Sequence, residues 1–182
     1  TGISKWFIDN PDRASCKTES FTVRRNHIKE DIETWGMLPE YKIDLENIDH
    51  VLDIGSRDAC QTLELSDWFP NSKIHCFEPV PETAQWCKNN IKDRKNINFY
   101  EKAIGPTDGY IKFHKVVNGN IGASSLYKAN NNHYYGKSYV QQEIQVECIR
   151  GDSFLKNNSI DKIDLIWMDV QGAEMEVLKS FG

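Results

Sequence analysis

From His50 onward the sequence alternates short apolar runs with stretches of helical spacing, and this alternation limits the fold more than any other feature. "HVLDIG" reads as a buried strand, "ACQTLELSDWF" as a helix carrying Leu63, Leu65 and Phe69, and "KIHCFEP" as a second strand. "PETAQWCKNNI" opens on Pro81, a residue suited to the first turn of a helix, and "NINFYEKAIG" reads as a third strand. Strands separated by helices of this length pair in parallel, because a parallel connection needs a crossover of a dozen or more residues. The expected fold is therefore α/β, a doubly wound, mostly parallel sheet with helices on both faces.

The remainder extends that pattern. "DGYIKFHKVV" and "QQEIQVECI" read as strands flanking a loop from Asn118 to Tyr139 that is rich in Gly, Ser, Asn and Tyr. "DKIDLIWMDVQGAEMEVLKSFG" supplies another buried strand, an acid at its carboxyl end, a glycine turn and an amphipathic helix. Trp167 and Met168 are expected in or near the core, and Met175, Leu178 and Phe181 on the inner stripe of the last helix. Residues 1–49 are polar and irregular, with one helical candidate from His27 to Met37, and are expected to form an extension on a core of residues 50–182 within one domain.

Composition excludes several functions. A net charge of −5 argues against a nucleic-acid-binding face, and no run approaches the ~20 apolar residues of a membrane span. Cys16, Cys60, Cys76, Cys87 and Cys148 are odd in number and widely spaced, so reduced thiols in a cytoplasmic setting are expected rather than a disulfide framework or zinc site.

The turn "VLDIGSRDAC" lies where open α/β sheets bind ligands, beyond the carboxyl ends of the strands. A dinucleotide fingerprint requires glycines where Arg57 and Cys60 stand, and no Gly-Lys-Ser/Thr follows for a P-loop. Glu78 ends the second strand 25 residues after Asp53, where a carboxylate can accept hydrogen bonds from a ribose diol. A nucleoside ligand without a pyrophosphate fits this pattern, and Asp53 suits a cationic or amino-bearing group.

Asp53-x-Gly55 followed by Glu78 resembles the S-adenosylmethionine site of class I methyltransferases. Together with "CFEPVPE", "EKAIGPTDG", "ASSLYK" and "IDLIWMDVQGAEMEVLKSFG", it makes the chain from His50 to Gly182 resemble the FkbM family of S-adenosylmethionine-dependent O-methyltransferases. The resemblance implies a Rossmann-like sheet. It puts Asp53, Gly55 and Ser56 around the methionine part of the donor, Glu78 on the ribose, Ala103 and Ile104 beside the adenine, and Asp169 at the mouth of the site; Arg57 and Pro79 are further cofactor-binding candidates. Many relatives carry Asn and Gly where this chain has Arg57 and Ala59, and Glu is frequent where Gln171 stands. Arg57 is open to two readings, contact with the ligand carboxylate or exposure to solvent.

Methyl transfer to a hydroxyl needs in-line alignment and removal of the acceptor's proton. Asp169 is the candidate catalytic residue, with holding the cofactor or capping the last helix as the alternative role. His114 and His133 are further bases by chemistry alone. A divalent metal at Asp169, helped by Asp152 and Glu174, is chemically possible but not indicated. Asn120, Ser124, Ser125 and Gln171 are candidate acceptor contacts, in a loop whose amides, hydroxyls and tyrosines suit a sugar. The expected activity is O-methylation of a sugar, glycan or small metabolite. The rival is a non-catalytic nucleoside-binding or scaffold domain serving other domains of a longer chain. Ending at Gly182 would leave the strand from Ile163 to Met168 at or near a sheet edge, so the chain is expected to be truncated at its carboxyl end.

Overall fold

The structure, a computed structural model, describes residues 47–129 and 139–182. The helix expected between His27 and Met37, and His133 with the loop residues around it, lie outside the described residues. In chain order the elements are β1 (His50–Ile54), α1 (Cys60–Trp68), β2 (Lys73–Phe77), α2 (Pro81–Ile91), β3 (Ile97–Tyr100), β4 (Ala103–Ile104) and β5 (Gly109–Asn118). A 3-10 turn (Ile121–Ala123), β6 (Val140–Ile149), α3 (Gly151–Asn157), β7 (Leu165–Met168) and α4 (Glu174–Lys179) follow.

The central sheet has four strands in the order β3-β2-β1-β7, all parallel. Strand alternation distributes its side chains to two layers. Val51, Ile74 and Cys76 point to the α1 and α2 side, among Leu63, Leu65, Phe69 and Cys87. Leu52, Ile54 and Phe77 point the other way and pack with Phe154 of α3 and Val177 of α4. The helices thus cover both faces, as the alternation requires. Phe77, Tyr100 and Phe154 form an aromatic cluster in the second layer, with the Phe77 and Tyr100 rings stacked at 4.8 Å and Phe154 edge-on to both. Truncating a ring buried like Phe154 costs about 3–5 kcal/mol.

Two expectations are corrected. "NINFYEKAIG" is not one strand: it breaks at Glu101 and Lys102, and β4 leaves the central sheet to pair in parallel with β6, which pairs antiparallel with β5 in a separate three-stranded sheet. The break falls where two charged side chains are held outward, Glu101 by Lys88 at 2.5 Å and Lys102 by Glu147 at 2.6 Å. Met175 and Leu178 are not on the inner stripe of the last helix, being 60% and 46% exposed. The inner face is instead Ala173, Val177 and Ser180, small enough to let α4 lie close to the sheet. Phe181 does pack inward, over Gly151, where a Cβ would lie 2.5 Å from its ring. Trp167 and Met168 are half-buried and join the two layers' clusters, as expected.

Candidate active site

The carboxyl ends of β1, β2 and β7 converge on one crevice that opens to solvent and holds about 590 Å3 of empty space, its open mouth included. Its first wall is the turn after β1. Gly55 takes φ +88°, and a Cβ there would sit 2.2 Å from the carbonyl oxygen of Asp169 at the end of β7. Only glycine permits both the left-handed backbone and this approach. The Asp169 amide returns a hydrogen bond to the Ile54 carbonyl at 3.0 Å, so the two strand ends are tied as well as close.

The amides of this turn are occupied within the protein. Gly55 and Ser56 both donate to the Phe77 carbonyl at 3.0 Å, Ala59 donates to Ser56 at 2.8 Å, and Arg57 donates to Glu78 Oε2 at 2.9 Å. A pyrophosphate needs such amides to point outward. The turn therefore has the wrong chemistry for a phosphate cradle, consistent with its glycine pattern. Helix α2 braces it further, since the Cys87 thiol donates to the Arg57 carbonyl at 3.1 Å and Asn90 to the Asp58 carbonyl at 2.8 Å.

Glu78 lies at the end of β2 and forms part of the crevice wall. Its Oε1 accepts from the Val80 amide at 2.9 Å and the Thr83 hydroxyl at 2.8 Å, while Oε2 accepts only the Arg57 amide among the described residues. A carboxylate offers about four lone-pair sites, so Oε2 retains acceptor capacity. Burial is the largest influence on this carboxyl and pushes it up to about 7, against the pull of those hydrogen bonds.

Asp169 stands across the crevice, exposed at its rim. The Gln171 side-chain amide donates to its Oδ1. Desolvation raises the carboxyl above its ordinary range, Glu174 adds to the rise, and Gln171 and Arg57 oppose it. Arg57 reaches the same region: its Nη2 donates to the buried Asp58 at 3.0 Å, and its Nη1 lies against Gly122 in the 3-10 turn. At 19% exposure, its side chain does not face solvent, which removes one of the two readings left open by the sequence.

The crevice brings together Gly55, Arg57, Glu78, Pro79, Ala103, Ile104, Ser124 and Asp169. The other candidates stand behind or beside its walls. Asp53 points toward α1, where Thr62 donates to it, and burial lifts its carboxyl to about 6. Ser56 donates to the Asp53 carbonyl at 3.0 Å. Asn120 Oδ1 accepts from the Gly122 amide at 3.1 Å, and the buried Ser125 hydroxyl sits within reach of the Val170 and Gln171 carbonyls at 3.2 and 3.1 Å. Gln171 is exposed, with its amide on Asp169. His114 lines up with Ser125 through its backbone, and Asp152 is held by Arg150 at 2.6 Å; neither is a crevice residue. No group of three or more His, Cys, Asp or Glu that could hold a metal occurs among the described residues.

Sequence reasoning missed Phe77, Thr83, Phe113 and Leu126, which also line the crevice. Phe113 carried a usable signal, since it alternates with Ile111 on the inner side of the strand "GYIKFHKVV" and is one of its two buried positions, with Val116. Backbone strain also gathers here. Of four non-glycine residues with positive φ among the described residues, Arg57, Ala59 and Gln171 lie in the two turns that flank the crevice.

The sequence matches the methyltransferase FkbM domain over residues 49–182. The chain belongs to the FkbM methyltransferase family. Among relatives, it is 34% identical over 135 residues to a 2-O-methyltransferase, NoeI, of Sinorhizobium fredii, covering 70% of this chain and 55% of that protein. It is 27% identical over 141 residues to Methyltransferase 1 of Beauveria bassiana, covering 71% of this chain and 57% of that protein. The chain thus spans about half the length of these curated relatives. Arg57 at φ 52° and Ala59 at φ 61° occupy the left-handed conformation that Asn and Gly tolerate best.

No described helix is long and apolar enough to cross a membrane, and the described Cys60, Cys76, Cys87 and Cys148 are free and buried.

Proposed function

We propose that this FkbM domain takes part in S-adenosylmethionine-dependent O-methylation of a hydroxyl on a sugar, glycan or small metabolite. The observation that carries the reading is the pairing of Glu78 with Asp169 across one crevice. One carboxylate keeps acceptor capacity for a ribose, and the other lies beside the glycine turn that the methionine part would pass. The donor's residues fit it: occupied turn amides disfavour a phosphate-bearing ligand, Phe77, Ala103 and Ile104 offer apolar surface for a purine, and Asp169 favours a sulfonium cation. The donor supplies an electrophilic methyl group on sulfur.

The chain's own groups do the rest. Gly55 keeps the floor of the crevice open, Glu78 orients the ribose, and Arg57 lies where a carboxylate of the donor could be met. Asp169 takes the acceptor hydroxyl's proton, a role helped by a carboxyl raised above its ordinary range and by the Gln171 amide that fixes its rotamer. Ser124, at the crevice, and Asn120, Ser125 and Gln171 beside it, are the acceptor-side groups. That a relative is named a 2-O-methyltransferase supports oxygen as the accepting atom.

The test is transfer of labelled methyl from S-adenosylmethionine to a panel of methyl glycosides, comparing this chain with Asp169→Asn. Transfer that falls about 10²-fold or more in the variant, with donor binding kept, supports the reading. Equal transfer by both would remove Asp169 from the reaction, and donor binding without transfer to any hydroxyl would identify a binding domain.

A further inference from the structure

Beyond the walls of the crevice, Tyr127 and Glu176 form a unit that the proposed chemistry does not use. The Tyr127 hydroxyl donates to Glu176 Oε1 at 2.8 Å, joining the loop after the 3-10 turn to α4. The Tyr127 amide donates to Ser125 Oγ at 3.2 Å, and that hydroxyl is within reach of the Val170 and Gln171 carbonyls. The ring is thus fixed at both ends, yet Tyr127 is 47% exposed. It stands over Gly172, where even an added Cβ would only come to 4.0 Å of the ring. An ordered aromatic face left open beside a crevice is a binding platform rather than core.

The second observation is independent of the ring. Glu176 Oε2 is shielded from water and has no hydrogen-bond partner among the described residues. Leaving a carboxylate oxygen in that state is costly, and turning the side chain so that Oε2 meets a ligand hydroxyl would relieve it. Gln171 and Asp169 lie on the neighbouring turn, adding an amide and a second carboxylate within the same patch. A flat apolar face beside hydroxyl acceptors matches a pyranose, which carries C–H groups on one face and hydroxyls around its edge.

Resting on the methyltransferase reading, we propose that Tyr127 and Glu176 form the acceptor subsite, stacking one pyranose ring on Tyr127 and accepting a sugar hydroxyl at Glu176. With Asp169, Glu174 and Glu176 gathered at this turn, the sugar recognised carries no acid group, because a uronate would meet like charges.

The experiment is saturation-transfer NMR and titration of this chain with methyl α-glucopyranoside, methyl α-galactopyranoside and methyl α-glucopyranosiduronate, in the presence of S-adenosylhomocysteine. The expected result is transfer to the ring C–H protons of a neutral glycoside and none to the uronate. Tyr127→Ala and Glu176→Gln should each weaken the neutral sugar by about tenfold. Affinity for S-adenosylhomocysteine should stay unchanged in both variants. Sugar binding unaffected by either substitution, or a uronate bound as well as the neutral sugar, overturns the subsite. Absence of neutral-glycoside binding while S-adenosylhomocysteine binds also overturns it. Failure of the unaltered chain to bind S-adenosylhomocysteine instead sinks the donor reading, so the two failures are distinct. Tyr127→Phe keeps the ring but not the bond to Glu176, and retained C–H contacts in that variant separate stacking from a loss of folding.

Discussion

The carbonyl oxygen of Asp169 lies so near the α-carbon of Gly55 that a Cβ there would come to 2.2 Å from it. This contact joins the ends of β1 and β7 and sets the width of the crevice between the two turns that carry Arg57 and Gln171. A residue chosen for its missing side chain therefore fixes where an acid stands. Gly55→Ala is expected to destabilise the chain by about 3 kcal/mol or more, combining left-handed strain with a backbone clash. Urea midpoints of the two proteins measure this, and a shift equivalent to under about 1 kcal/mol would mean that the turn can relax without the glycine.

Glu78 makes stability depend on pH in a direction opposite to the usual carboxylate. Its folded-state carboxyl is raised from 4.5 to about 7, so the native state holds a proton that the unfolded chain has lost. The stability it contributes is present below about pH 4.5 and lost as pH rises through about 7. Relative to Glu78→Gln, the unaltered chain should be more stable at pH 5 than at pH 7.5. A difference between the two proteins that does not change with pH would show that Glu78 is ionised throughout.

His75 acts with the reverse sign. It is buried between His50 and Tyr100, 3.1 and 3.2 Å from each through its two ring nitrogens, and burial lowers it from 6.5 to about 4. Stability from keeping it neutral is present above about pH 6.5 and lost as pH falls through about 4. His75→Phe should flatten that acid limb, at the cost of two hydrogen bonds; an unchanged acid limb would assign it to other groups.

Arg57 Nη2 pairs with the buried Asp58 at 3.0 Å, and removing it takes a cation from a carboxylate that also accepts from the Cys60 amide at 3.3 Å. Arg57→Ala is expected to cost about 1–3 kcal/mol. Arg57→Asn should recover part of this, because Asn tolerates φ 52° better than Ala does. Equal stability of all three proteins would show that neither the ion pair nor the backbone conformation matters here.

Much of the fold was legible because β1, β2 and β7 are apolar runs and Pro81 marks the start of α2. The division between β3 and β4 was not, since Glu101 and Lys102 merely extend an alternating pattern, and only their ion pairs to Lys88 and Glu147 reveal the turn. Met175 and Leu178 misled for a related reason. Apolar spacing marks a stripe, but the approach of α4 is set by its small residues, Ala173 and Ser180, and the larger side chains remain outside. The site divides similarly. Gly55, Glu78 and Asp169 end their strands and could be read from position alone. Asp53 also ends a strand, but it shares the α1-facing side with Val51, and alternation turns it away from the crevice. Tyr127 was legible only as one of the loop's tyrosines and Glu176 not at all, because their meeting depends on how the loop folds over α4.

Titration calorimetry of S-adenosylhomocysteine against this chain at pH 6 and pH 8, repeated on Glu78→Gln, tests the central claim that Glu78 is a donor-binding carboxylate. Binding should strengthen as pH rises through about 7, since only the ionised carboxylate keeps Oε2 purely an acceptor for a ribose hydroxyl, and the Gln variant should bind more weakly with no such rise. Equal affinity in both proteins at both pH values would contradict the account.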